Sequence, residues 1–133
     1  MTIEERTSLR LTVLEETFAV CRLDPDAEVP PWAGSDPGGL SSVTRTAEEL
    51  SVVCPERVIP RGILCQGGWR ALKMEGPFDL SLVGILASVV APLADARVNV
   101  FVTATYETDY VLLKEENLDL AVAALRGRGH EVS

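Results

Sequence analysis

Aromatic residues make up only 5% of this chain although hydrophobic residues make up 47%. The interior therefore has to be assembled from Val, Leu, Ile and Ala rather than from stacked rings, a composition that suits sheets packed on helices. No apolar run reaches the eighteen or so residues that a membrane span needs. The longest candidate, Leu80 to Leu93, is broken by Ser81, Gly84, Ser88 and Pro92. The start, "MTIEERTSLR", has acids where a signal peptide would carry basic residues followed by an apolar core, so a cytoplasmic protein is expected.

Positive charge is also scarce. Lys and Arg number 12 against 20 acids, a net charge of −8, and the basic residues are scattered rather than gathered into a stripe. Nucleic acid is a poor partner for such a surface. The cysteines, Cys21, Cys54 and Cys65, are odd in number and fall at none of the C-x-x-C spacings of zinc or redox sites, so buried, reduced thiols are expected. His130 is the single histidine and reads as a surface residue with no serine or cysteine near it in sequence. The acid pairs Glu15–Glu16, Glu48–Glu49 and Glu115–Glu116 are adjacent, so on strands they point to opposite faces and read as solvated turn residues. "GPFDLSLVG" fits neither phosphate-binding glycine pattern. Catalysis, a cofactor and a metal are all unexpected.

What is present is strand and turn grammar. A chain of 133 residues suits one domain or two very small ones sharing a core. Residues 9 to 23, "LRLTVLEETFAVCRL", are rich in β-formers interrupted by "EET", which predicts a hairpin. "DPDAEVPPWAGSDPGG" is irregular, with Trp32 as its anchor. "LSSVTRTAEELSVVCPE" predicts a second hairpin turning at Ala47 to Glu49. "ERVIPRGILCQGG" reads as a connector with at most one short strand, and a module boundary is placed near Gly67 and Gly68.

After that boundary the pattern sharpens. "WRALKMEG" predicts a strand, and "FDLSLVGILASVVAPLADARV" a helix capped by Asp79 or Ser81, with Val83, Leu86, Val90 and Leu93 on one row and a bend or last turn at Pro92. Gly84, inside that helix, would cost about 1 kcal/mol relative to alanine and implies close packing. "NVFVTAT" and "DYVLLKE" predict two strands. Asn117 caps a second helix with the stripe Leu118, Val122 and Leu125, ended by Gly127 and Gly129, and "HEV" is available as a final strand. The order is that of the ferredoxin-like split βαβ fold. A shift of 60 residues superposes the two halves, Leu50 falling on Tyr110 and Phe18 on Phe78, which suggests two modules of unequal size: residues 1–66, degenerate, and 67–133, complete.

The stretch from "GWRALKMEG" through "TYETDYVLLKEENLDLAVAALRGRGH", preceded by "ELSVVCPERVIP", resembles the small bacterial tandem ACT-domain proteins. That group is related to the ACT modules of aspartate kinase and of CASTOR, the animal cytosolic arginine sensor. The resemblance implies an α+β fold of two ACT-like βαββαβ modules, antiparallel sheets backed by helices. It also implies a regulatory, non-catalytic protein that binds an amino acid or similar small metabolite at an ACT–ACT junction.

Within this resemblance, Thr105, Tyr106 and Asp109 match a threonine, an aromatic and an aspartate that line the arginine sensor's pocket. A carboxylate can hold an ammonium or guanidinium, a hydroxyl can orient it, and a ring can cover it. The same residues also suit a plain turn. The other half of a pocket would come from Gly76, Pro77, Phe78, Asp79, Ser81 and Val83, where amides at a helix start favour a ligand carboxylate. A wide apolar surface on the first helix points to a homodimer. The alternative is a protein-interaction module without a ligand.

Overall fold

The computed structural model describes residues 8–35, 39–76 and 84–133. Its elements are β1 (Arg10–Val13), β2 (Phe18–Leu23), β3 (Ser42–Arg45), β4 (Leu50–Pro55), β5 (Cys65–Met74), α1 (Ile85–Asp95), β6 (Val100–Ala104), β7 (Asp109–Lys114), α2 (Leu118–Gly127) and β8 (Glu131–Val132). Short 3₁₀ turns, Glu56–Val58 and Glu115–Asn117, follow β4 and β7. Two compact units emerge: Met1–Glu15 with Arg70–Ser133, and Glu16–Trp69.

The first unit carries the order strand, helix, strand, strand, helix, strand expected from residue 69 onward, and its architecture is ferredoxin-like. β7 pairs with both β6 and β5. β1 then lies between β5, to which it is antiparallel (Leu11 opposite Met74), and β8, to which it is parallel (Leu11 opposite Val132). The short last strand is held by hydrogen bonds from Glu131 N–H to Leu9 O at 2.8 Å and from Ser133 N–H to Leu11 O at 3.0 Å. Alternate residues supply one face: Leu9 and Leu11, Leu72 and Met74, Val111 and Leu113 all point into a single cluster. Val89 and Leu93 of α1 and Ala121 and Leu125 of α2 close it.

The expected stripe of α2 is borne out, with Leu125 buried and Leu118 and Val122 packed against the cluster. That of α1 is borne out at Leu86 and Leu93, which meet the same cluster, while Val83 lies outside the described residues. Its fully buried residues are Ser88, Val89, Pro92 and Leu93, so the buried face is centred beside Val90, and Ile85 packs against the same core. Gly84 is not interior to the helix either. It is the N-cap at φ 87° and ψ 0°, a left-handed conformation that by itself favours glycine. Asp79 and Ser81, the expected caps, lie outside the described residues.

Pro92 stays within α1, and its tolerance has an identifiable cause. A proline at 92 has no N–H for the carbonyl of residue 88. That carbonyl instead accepts from His130 Nε2 at 2.8 Å, while His130 Nδ1 accepts from Leu9 N–H at 3.1 Å. The histidine read as a surface residue is thus buried, 4% exposed, and joins three segments of one unit.

In the second unit β4 lies between β3 and β2, and β2 also pairs with the first half of β5. The β3–β4 hairpin is present as expected. The hairpin expected over residues 9 to 23 is not: β1 and β2 are not paired with each other, and both run antiparallel to β5. Glu15–Thr17 therefore interrupts the chain without reversing it. The expected connector is shorter too, since strand begins at Cys65 and passes through Gly67 and Gly68. Between Phe18 and Val20 the register with β5 slips, Gly67 and Gly68 of β5 together facing Ala19 of β2. Gly68, at φ 80°, supplies the left-handed residue that such a bulge needs. Its N–H donates to Glu56 Oε1 at 2.5 Å. A Cβ at Gly67 would fall 2.1 Å from that same oxygen. Gly68 thus supplies the backbone conformation, and Gly67 leaves room for the carboxylate that seats the bulge.

The inner face of this unit gathers Cys21, Ala33, Val52 and Cys54, with Trp32 packed against them as anchor of the Pro-rich segment. Cys21 and Cys54 are buried as expected, but Cys65 is exposed.

Candidate functional site

The turn between β6 and β7 is built by a threonine. Thr105 N–H donates to Thr108 O at 2.8 Å, and the Thr105 hydroxyl accepts from Thr108 N–H at 3.2 Å while donating to Thr108 O at 3.0 Å. The β3–β4 turn uses the same device. Thr46 N–H donates to Glu49 O at 2.9 Å, and the Thr46 hydroxyl accepts from Glu48 and Glu49 N–H at 3.1 and 3.2 Å. Such local side-chain bonds are what favours threonine at these positions. Hairpins and 3₁₀ turns of the two units correspond at a shift of 59, Leu50 to Asp109 and Glu56 to Glu115, one residue less than the 60 read from the sequence.

Of the candidate binding residues, Thr105, Tyr106 and Asp109 share this turn. The Thr105 hydroxyl is engaged in shaping it. Tyr106 is 88% exposed, and Asp109, half-buried, opens β7 opposite Ala104. Thr108, not counted among the binding residues, ties the turn to the end of β5: its hydroxyl donates to Met74 O at 2.6 Å. The turn is thereby held two residues from Gly76, which is exposed. Pro77, Phe78, Asp79, Ser81 and Val83 lie outside the described residues.

A polar cluster at the end of β5 escaped the sequence reading. Thr12 donates to Glu75 Oε2 at 2.6 Å and Lys73 Nζ stands 3.6 Å from Glu75 Oε1. The Thr12 hydrogen bond, with lesser help from Lys73, holds the Glu75 carboxyl below its ordinary value. Only alternation on β1 could have signalled it, since Thr12 faces away from Leu11. At the start of α1 no side chain caps the helix and no acid occupies the first turn. Gly84 has no side chain to accept from these first amides, and amides at a helix start favour an anion.

Among the described residues no group of three or more His, Cys, Asp or Glu side chains is arranged to hold a metal ion. No described helix is long and apolar enough to cross a membrane.

The sheet order and the two helices define a class, and comparison with known proteins agrees. Residues 64–127 match the ACT domain family, and this stretch of the chain is an ACT domain. Residues 16–62 match a separate family described as an N-terminal domain. Among relatives, the bovine cytosolic arginine sensor for mTORC1 subunit 1 is 28% identical over 95 residues, covering 63% of this chain and 29% of that protein. The human putative protein CASTOR3P is 30% identical over 97 residues, and the chain spans 60% of it. The crystal structure of protein Atu0741 from Agobacterium tumefaciens is 33% identical with a TM-score of 0.88, covering 96% of this chain and 93% of that one. The ligand-free regulatory subunit of aspartate kinase from Thermus thermophilus shares the fold at 10% identity, with a TM-score of 0.63 over 92% of this chain and 99% of that one.

Proposed function

We propose that this ACT-domain protein is a non-catalytic, cytoplasmic regulator that binds an amino acid or similar small metabolite where ACT modules meet. In this reading the ligand carboxylate rests on the first amides of α1, with Gly76, Pro77, Phe78, Asp79, Ser81 and Val83 around it. Its cationic end meets Asp109, and Tyr106 covers it. Thr105 sets the turn. The observation that carries the proposal is the hydrogen bond from Thr108 to Met74 O, which holds the Asp109 turn against the strand leading to residues 75–84. The start of α1 in the same unit, where Gly84 at the N-cap offers no side-chain acceptor, supports it. So does kinship with a protein named as an arginine sensor, although this chain spans only 29% of its length. A homodimer is part of the proposal, since Leu86 and Val90 of α1 stay half-buried and a second copy would cover them.

Thermal-shift screening against the twenty amino acids tests it. A ligand at a hundred times its Kd stabilises by about 2.7 kcal/mol. Asp109→Ala is expected to abolish the shift from a cationic amino acid while leaving the unliganded melting temperature close to that of the parent. A shift that survives this substitution moves the site elsewhere. No shift with any amino acid favours the interaction module.

A further inference from the structure

The three cysteines, unremarkable in their sequence spacing, converge on one sheet of the second unit. Cys21 of β2 stands directly opposite Cys65 of β5. The neighbouring pair fixes which kind of position this is: Arg22 N–H donates to Leu64 O at 2.9 Å. Bonded and non-bonded pairs alternate along an antiparallel ladder, so Cys21 and Cys65 occupy a non-hydrogen-bonded pair, where Cα atoms approach to about 4.5 Å. A disulfide needs Cα atoms about 4.4–6.8 Å apart, so the backbone already satisfies it. The two side chains also project from the same face of the sheet, as those of directly opposite residues do. Cys54 stands opposite Ala19, on the diagonal from Cys21, where separations reach about 7–8 Å. It is also buried.

We propose that Cys21 and Cys65 form a cross-strand disulfide when the protein meets a low-molecular-weight disulfide, making the second unit a site of reversible oxidation. Cys65 is exposed and meets the reagent first. Its thiolate, having lost a proton to solvent, attacks one sulfur of the reagent. The reagent's S–S bond breaks, one small thiolate leaves and is protonated by water, and a mixed disulfide remains on Cys65. Cys21 then gives up its proton and attacks the Cys65 sulfur, expelling the second small thiol. Two protein thiols are oxidised by two electrons and the external disulfide is reduced to two thiols. Burial first, then the neighbouring Cys54 and Cys65, pushes the Cys21 thiol up to about 12, so the second step is the slower one. The bond would join β2 to β5 across the whole Pro-rich segment.

The test treats the full chain with excess oxidised glutathione, then counts thiols in denaturant, weighs the intact protein and maps its peptides. The expected result is a fall from three free thiols to one, a mass lower by two hydrogens, and a linked peptide pair containing Cys21 and Cys65. Cys54→Ser should give the same link with no free thiol left. Cys65→Ser, at an exposed position, should keep both remaining thiols. A stable glutathione adduct on Cys65, a Cys21–Cys54 link, a link between two chains, or three surviving thiols in the parent would each overturn the proposal.

Discussion

Removing His130 and Pro92 separately and together tests whether the histidine is there because of the proline. In His130→Ala, Leu9 N–H loses its acceptor and Ser88 O its donor. A buried polar group left unpaired costs about 1–3 kcal/mol, so the single change should lower stability by about 3 kcal/mol once relaxation is allowed for. In a Pro92→Ala background, residue 92 regains an N–H within reach of Ser88 O, the ordinary helical partner. The same histidine deletion then strands only Leu9 N–H. Its cost should fall by about 1–1.5 kcal/mol, which is the coupling energy of the cycle. Urea unfolding of the four proteins at one pH measures it, provided the slopes agree. If the two costs add to within about 0.5 kcal/mol, His130 does not compensate for the missing proline donor and the account of how α1 tolerates residue 92 is wrong.

Two further outcomes follow from particular residues. Gly84→Ala should destabilise by about 1–2 kcal/mol, because its φ of 87° is left-handed, whereas a glycine inside a helix would give a gain of about 1 kcal/mol on the same change; a denaturant midpoint separates the two signs. Thr12→Val should raise the Glu75 carboxyl toward its ordinary value, measurable by NMR titration. Since the folded value is depressed, Glu75 contributes stability above its unfolded value and loses it as pH falls through the folded one, so the parent's advantage over Thr12→Val should shrink on acidification.

Much of this protein was determined locally and could be read along the chain. The β3–β4 hairpin and the strands β6 and β7 follow from alternation and from threonine at the turn. The stripe of α2 follows from a 3.6-residue period with Asn117 and Gly129 at its ends. The ferredoxin-like order of the C-terminal half is the sum of such local signals. Each depends on residues a few positions apart, whose geometry the backbone dictates.

The remainder depended on which distant segments pair. "EET" at 15–17 and "AEE" at 47–49 look alike as sequence, yet only the second reverses the chain, because β1 finds β5 and β8 as partners rather than β2. Gly67 and Gly68 read as a boundary, and the Glu56 carboxylate turned them into a bulge within one strand. His130 read as a surface residue because its partner is a carbonyl 42 positions earlier, exposed by a proline whose consequence no periodicity reveals. Cys21 and Cys65 share no motif and become neighbours only through strand register. Burial and pairing are properties of contacts between segments, and a linear pattern records only each segment's own preference.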